Sequence, residues 1–111
     1  MSTIGLVRKR KDGSFEGQLK TLSVQAPILI SPVKGKKSSD SAPDYRVTSD
    51  GVEIGAGWLR TGQVSQKEYV SLSLVAPELV SMMGKAKAVY ANLGRAADQD
   101  DPDVYALIWN P

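Results

Sequence analysis

The side chains best suited to chemistry in this chain are cations. Arg8-Lys9-Arg10-Lys11 forms one cluster, and Lys34, Lys36 and Lys37 form a second within a small, polar stretch. Arg46 adds a planar guanidinium that fits phosphate or carboxylate, and Tyr69 adds a ring on which a base can stack. If the fold brings both clusters to one rim with Arg46 and Tyr69 between them, that rim offers phosphate contacts and a stacking surface. Single-strand binders work in this way. The competing explanation is that lysine-rich tips and loops are simply solvated and keep strand edges from pairing. The overall balance of 14 basic and 12 acidic residues leaves only +2, short of a dedicated nucleic-acid binder. Placement is uneven, with residues 1–60 at +4 and residues 61–111 at −2.

Other chemistries are largely excluded. Cysteine and histidine are both absent, which removes disulfides, thiolate nucleophiles, the usual zinc sites and the commonest proton shuttle near neutral pH. Ser71 and Ser73 have no partner placed by sequence to activate them. The acidic run at Asp98, Asp100, Asp101 and Asp103 could hold a hard cation, but it lacks the glycine and distal glutamate of a calcium loop and contains Pro102. It reads as a solvated connection. We expect no enzyme activity, no metal and no other cofactor. With no signal-peptide pattern and no run of 18 apolar residues, a cytoplasmic protein without membrane contact is expected.

The elements that must position these residues are strands. Asp50-Gly51 accepts positive φ at both turn positions and predicts a two-residue hairpin. Val47 then faces Ile54, Arg46 faces Gly55 and Tyr45 faces Ala56, which puts Tyr45, Val47, Val52, Ile54, Ala56 and Trp58 on the core face. Gly55 and Gly57 fall on the outer face, opposite Arg46 and Asp44. They either open a groove for a ligand or partner backbone, or mark a bend where a sheet coils into a barrel. A second Asp-Gly pair, Asp12-Gly13, predicts a first hairpin that pairs Leu6 with Leu19 in the core and Lys9 with Glu16 at the surface.

Further along, Leu22 to Ile30 alternates cleanly, with Pro27 pointing to an edge or bulge. Ser31 to Pro43 reads as a mobile basic loop. Val70, Leu72 and Leu74 alternate inward, with Tyr69, Ser71 and Ser73 outward. Ala76 to Gly84 carries an early proline and a closing glycine, consistent with a short helix near 77–84. Lys85–Leu93 and Asp103–Trp109 complete the strands. VYALIW lacks polar alternation, so it is expected to be buried on both faces or centrally paired, and Trp58 and Trp109 are expected in the core. Seven to eight short strands in a single domain over 1–111 predict an all-β fold, an antiparallel meander curled into a barrel or a two-layer sandwich.

Several motifs taken together resemble the small bacterial family called domain of unknown function 736. They are Thr3-Ile4-Gly5, GQLKTL from Gly17, APDYRV from Ala42, Ile54-Gly55-Ala56-Gly57-Trp58, Tyr69-Val70-Ser71-Leu72 and Leu107-Ile108-Trp109. The resemblance runs along nearly the whole chain. It implies a mobile-element or phage-like setting and carries no established activity. The chain departs from the family pattern at Val75-Ala76-Pro77, where an acidic dipeptide is usual before the proline, and in ending Trp109-Asn110-Pro111 rather than on a basic residue.

Two functions follow as expectations. The first is a nucleic-acid-binding accessory protein of a mobile element that takes single- or double-stranded DNA through Arg8, Lys9, Arg10, Lys34, Lys36, Lys37, Arg46 and Tyr69. The second is an inhibitor or adaptor that binds a host protein through a sheet edge or the Gly55/Gly57 face. Monomer and edge-paired homodimer both remain open.

Overall fold

A computed structural model describes residues 2–21, 25–33, 42–62, 68–76, 80–81, 88–95, 101 and 103–109. The strands are β1 (Ser2–Lys9), β2 (Phe15–Lys20), β3 (Gln25–Pro32), β4 (Tyr45–Ser49), β5 (Val52–Thr61), β6 (Glu68–Leu74), β7 (Val89–Arg95) and β8 (Val104–Trp109). Each pairs antiparallel with the next in sequence, and β8 returns to pair with β1, closing the sheet. The fold is therefore a barrel and not a two-layer sandwich. Closure also removes the sheet edge expected to serve protein binding or homodimer pairing, because β1 and β8 satisfy one another from Ser2↔Trp109 to Arg8↔Val104.

The interior is aliphatic. Ile28, Ile30, Val47, Leu72, Leu74, Val89 and Leu107 are almost fully buried. Each contributes about 1.5–3 kcal/mol by leaving water. Alternation puts Val70, Leu72 and Leu74 inside and Tyr69, Ser71 and Ser73 outside on β6, as expected. β8 is paired on both sides, with Leu107 buried inward and Ala106 only 3% exposed on the outward phase, which explains its unbroken apolar run. Trp109 packs against the core as anticipated. Val80, in the connection between β6 and β7, is buried in the same cluster. Its N–H donates to the Ala76 carbonyl at 3.0 Å, and Val80 and Ser81 are helical. The rest of the expected helix, 77–79 and 82–84, lies outside the described residues.

Three register expectations need correction. The first hairpin is not a two-residue turn: Arg10 N–H donates to the Ser14 carbonyl at 2.7 Å, so three residues form the loop, and only Gly13 takes positive φ, at 90°. Asp12 Oδ1 accepts from both the Ser14 N–H and the Ser14 hydroxyl, which locks this form. The one-residue slip pairs Leu6 with Gln18 and Arg8 with Glu16. Leu6 thus faces outward at 45% exposure while Val7 fills the core, and the expected Leu6–Leu19 and Lys9–Glu16 pairs do not form.

The second correction lies in β5. Asp50-Gly51 does form the expected turn, with φ of 51° and 82°, and Ser49↔Val52 and Thr48↔Glu53 hold. A bulge at Ile54 then shifts the ladder to Val47↔Gly55, Arg46↔Ala56 and Tyr45↔Gly57. Beyond it the faces exchange. Gly57 points inward beneath Leu72 and Tyr45, and Trp58, expected in the core, faces outward and is half-buried. Val52, also expected inside, is 65% exposed.

The third correction is at the strand limits. β3 continues through Ser31 and Pro32 by pairing with Arg46 and Tyr45, so the expected loop begins later. β7 runs on to Arg95 because Gly94, opposite Ala106, leaves room for Ile108 Cδ1. Pro27 pairs with Gln18 but lies beyond the β3–β4 ladder, a local edge where its missing N–H does no harm. Because Asp50 and Gly51 sit at a tip where nothing lies within 4 Å of a Cβ at Gly51, Gly51→Ala should cost only the conformational term. We expect about 1–2 kcal/mol in urea denaturation, with no change in the binding described below.

Candidate nucleic-acid interface

Up-and-down topology brings four connections to one end of the barrel, those of β1–β2, β3–β4, β5–β6 and β7–β8. A cavity of about 330 Å³ opens there. Phe15, Tyr45 and Tyr105 form its aromatic wall, with Val70 and Leu93 deeper, Lys9, Leu59 and Glu68 at the lip, and Tyr69, on the outward phase of β6, bordering it. Phe15 packs edge-on to Tyr45 and Tyr105, with centroids 6.1 and 5.4 Å apart. Lys9 Nζ lies 6.0 Å from the Phe15 ring centroid, a cation–π arrangement. Burial pushes the Tyr45 phenol upward, aided by the charges of Asp44 and Glu68, so it remains a neutral hydroxyl at ordinary pH.

The cations sort by their partners. Arg8 and Arg10 lie at this end, paired with Asp101 at 2.5 Å and Glu16 at 2.6 Å. Both guanidiniums are well exposed, and such pairs contribute little and exchange readily for another anion. Lys11 stands at the hairpin tip, and Arg60 lies opposite Tyr69 in the ladder. Asp101 accepts from the Asp103 N–H and then from Arg8, which together hold its carboxyl below the usual range. The Ser14 hydroxyl and N–H lower Asp12 in the same way. Among the described residues no cluster that could hold a metal ion occurs.

Arg46 is the exception to the expected assembly. It faces outward on β4 and reaches Glu53, next to the 50–51 turn, at 3.0 Å. It therefore points away from the cavity and does not lie between the basic clusters. Lys34, Lys36 and Lys37 lie outside the described residues. The roots of their segment, Val33 and Asp44, are joined by a backbone hydrogen bond of 2.9 Å at the open end.

The bulge separates the two glycines expected to share one face: Gly57 points inward, and Gly55 packs closely against β6 while also lining an exterior groove. A Cβ at Gly55 would fall on the Ser73 carbonyl oxygen, with Leu74 Cα 3.1 Å away. The expected bend is present as the bulge at Ile54. That exterior groove, of about 460 Å³, runs past Glu53, Gly55, Ala56 and Trp58 to Ser73 and Val75.

Of the residues that line this cavity, the sequence points to Lys9 and Tyr69 and not to Phe15, Tyr45, Tyr105 or Glu68. Their common signal is an aromatic or acidic residue at a strand terminus, close to the same end of the sheet. That signal becomes legible only once the strands are known to close.

Fold and cavity together define a small closed barrel of eight antiparallel strands with one aromatic, cation-flanked mouth. The chain matches the family described as protein of unknown function (DUF736) over residues 3–111, and it belongs to that family. No curated protein and no solved structure matches it. No helix among the described residues is long and apolar enough to cross a membrane.

Proposed function

We propose that this is a non-enzymatic binding domain that takes single-stranded nucleic acid across the open end of the barrel. The observation that carries this is the coincidence of the Tyr45 and Tyr105 rings in one cavity, with Tyr69 at its border, and Arg8, Lys9, Arg10 and Lys11 on the same end. Bases stack on aromatic faces irrespective of sequence, while neighbouring cations track the phosphates. A cavity of about 330 Å³ suits an unstacked base and not a duplex. The mobile-element setting implied by the family resemblance fits an accessory role in DNA processing or transfer.

The test is fluorescence anisotropy with labelled single- and double-stranded oligonucleotides at low and moderate salt. Tighter binding of the single strand, weakening as salt rises, is the expected result. Absence of binding at low salt would overturn the proposal. In the same assay Asp101→Asn removes the carboxylate that competes for Arg8, so affinity should rise by about twofold to fivefold, the scale of one exposed ion pair.

The groove beside Trp58 supports a second reading, a protein-contact surface on β5–β7. Trp58 stands above the small residues Ala56 and Ser73, with Val75 and Tyr90 51% and 62% exposed nearby. Failure of oligonucleotide binding would transfer the proposal to this face.

A further inference from the structure

We infer that the mouth cavity is a base pocket that selects guanine; this rests on the single-strand reading above and names what that site recognises. Two groups of opposite charge line one aromatic cavity, Lys9 and Glu68. They do not neutralise each other. Lys9 Nζ is drawn over the Phe15 ring, and Glu68, exposed at the start of β6, makes no ion pair or hydrogen bond with any described residue. A carboxylate at the lip of an aromatic-walled cavity is an acceptor for the donors of a molecule that enters it.

The nucleobases differ in what they offer it. Guanine presents N1–H and the N2 amino group side by side, so a carboxylate can accept two parallel hydrogen bonds, the strong bidentate form. Adenine and cytosine each place a lone-pair nitrogen beside their amino group, which repels a carboxylate. Thymine has one N–H between two carbonyls. Guanine also carries O6 and N7 as adjacent acceptors, the pair that lysine and arginine recognise. A base with a donor edge and an acceptor edge thus matches a cavity with one anion and one cation at its lip. Tyr45 and Tyr105, half-buried at the cavity, supply the stacking that any base would gain, so the charged pair supplies the choice among bases.

The experiment uses the full chain and oligothymidines of about fifteen nucleotides, a length within the range one barrel can cover. Each carries one central guanine, hypoxanthine, adenine or cytosine, with plain oligothymidine as reference. Anisotropy at fixed low salt should show guanine preferred over adenine, cytosine and thymine by about tenfold. Hypoxanthine, which lacks only the N2 amino group, should lose most of that preference. Glu68→Gln should erase the guanine-to-thymine ratio whatever it does to overall affinity, and the hypoxanthine arm needs no variant to fold. Equal affinity for all central bases, with oligothymidine still bound, would overturn the guanine pocket and leave the single-strand reading standing. Binding of none of the oligonucleotides would remove both.

Discussion

Gly17→Ala is expected to destabilise the barrel by more than about 3 kcal/mol, beyond the ordinary cost of overpacking a core. Gly17 lies on β2 opposite Val7, on the inward phase, where β1 and β2 coil tightly. A Cβ there would fall on the Leu6 carbonyl oxygen and sit 2.6 Å from Val7 Cα. Both obstacles are backbone, so no side-chain rotation relieves the clash. Only separation of β1 from β2 does, and that breaks the ladder that closes the barrel. Small domains have about 5–15 kcal/mol of stability in total, so a large part would disappear. Urea denaturation followed by circular dichroism measures it. A midpoint within error of the parent would show that the hairpin can open locally at little cost.

Replacing Arg8, Lys9 and Arg10 together by glutamine should weaken single-strand binding by on the order of a hundredfold at low salt. It should also make the plot of log affinity against log salt shallower by about 2, at about 0.7 for each phosphate that is no longer neutralised. The diagnostic quantity is the slope, because general damage lowers affinity without changing how many counterions are released. Lys20→Gln is the matched control. Lys20 is exposed at the far end of β2, away from the cavity, so its replacement should leave the slope nearly unchanged. If the triple substitution left the slope intact, the cations beside the mouth would be solvated residues and nothing more.

Much of the architecture was legible in the sequence because turns and alternation are local properties. Asp50-Gly51 predicted its hairpin and Val70-Ser71-Leu72-Ser73-Leu74 its strand, and both formed. What escaped was register. Asp12-Gly13 has the same letters as Asp50-Gly51, yet Asp12 does not adopt positive φ, because Ser14 gives its carboxylate two donors that favour the three-residue loop. One residue of slip was enough to turn Leu6 from core to surface. At Ile54 a bulge exchanged the faces of Trp58 and Gly57, and the signal for it was the glycine pair itself.

The site was half legible for a related reason. Charge clusters can be read from the letters, so the sequence singles out Arg8, Lys9 and Arg10, which lie at the mouth end. Tyr45 and Tyr105 alternate with the core and look like core residues. Whether an inward ring is buried or lines an opening depends on how far its strand extends past its neighbours, which only the closed ladder decides.

The seam between β1 and β8 also governs how the chain acquires its structure. Ser2 pairs with Trp109, so within this barrel β1 is synthesised seven strands before the β8 that gives it its second neighbour. Until then β1 exposes a row of unpaired amides beside an apolar face, the form most open to pairing with another nascent copy. Closing the loop from Ser2 to Trp109 is entropically costly, and folds dominated by such distant pairings reach the native state slowly. The closed barrel is edgeless when finished, and during synthesis it is at its most vulnerable along that same line.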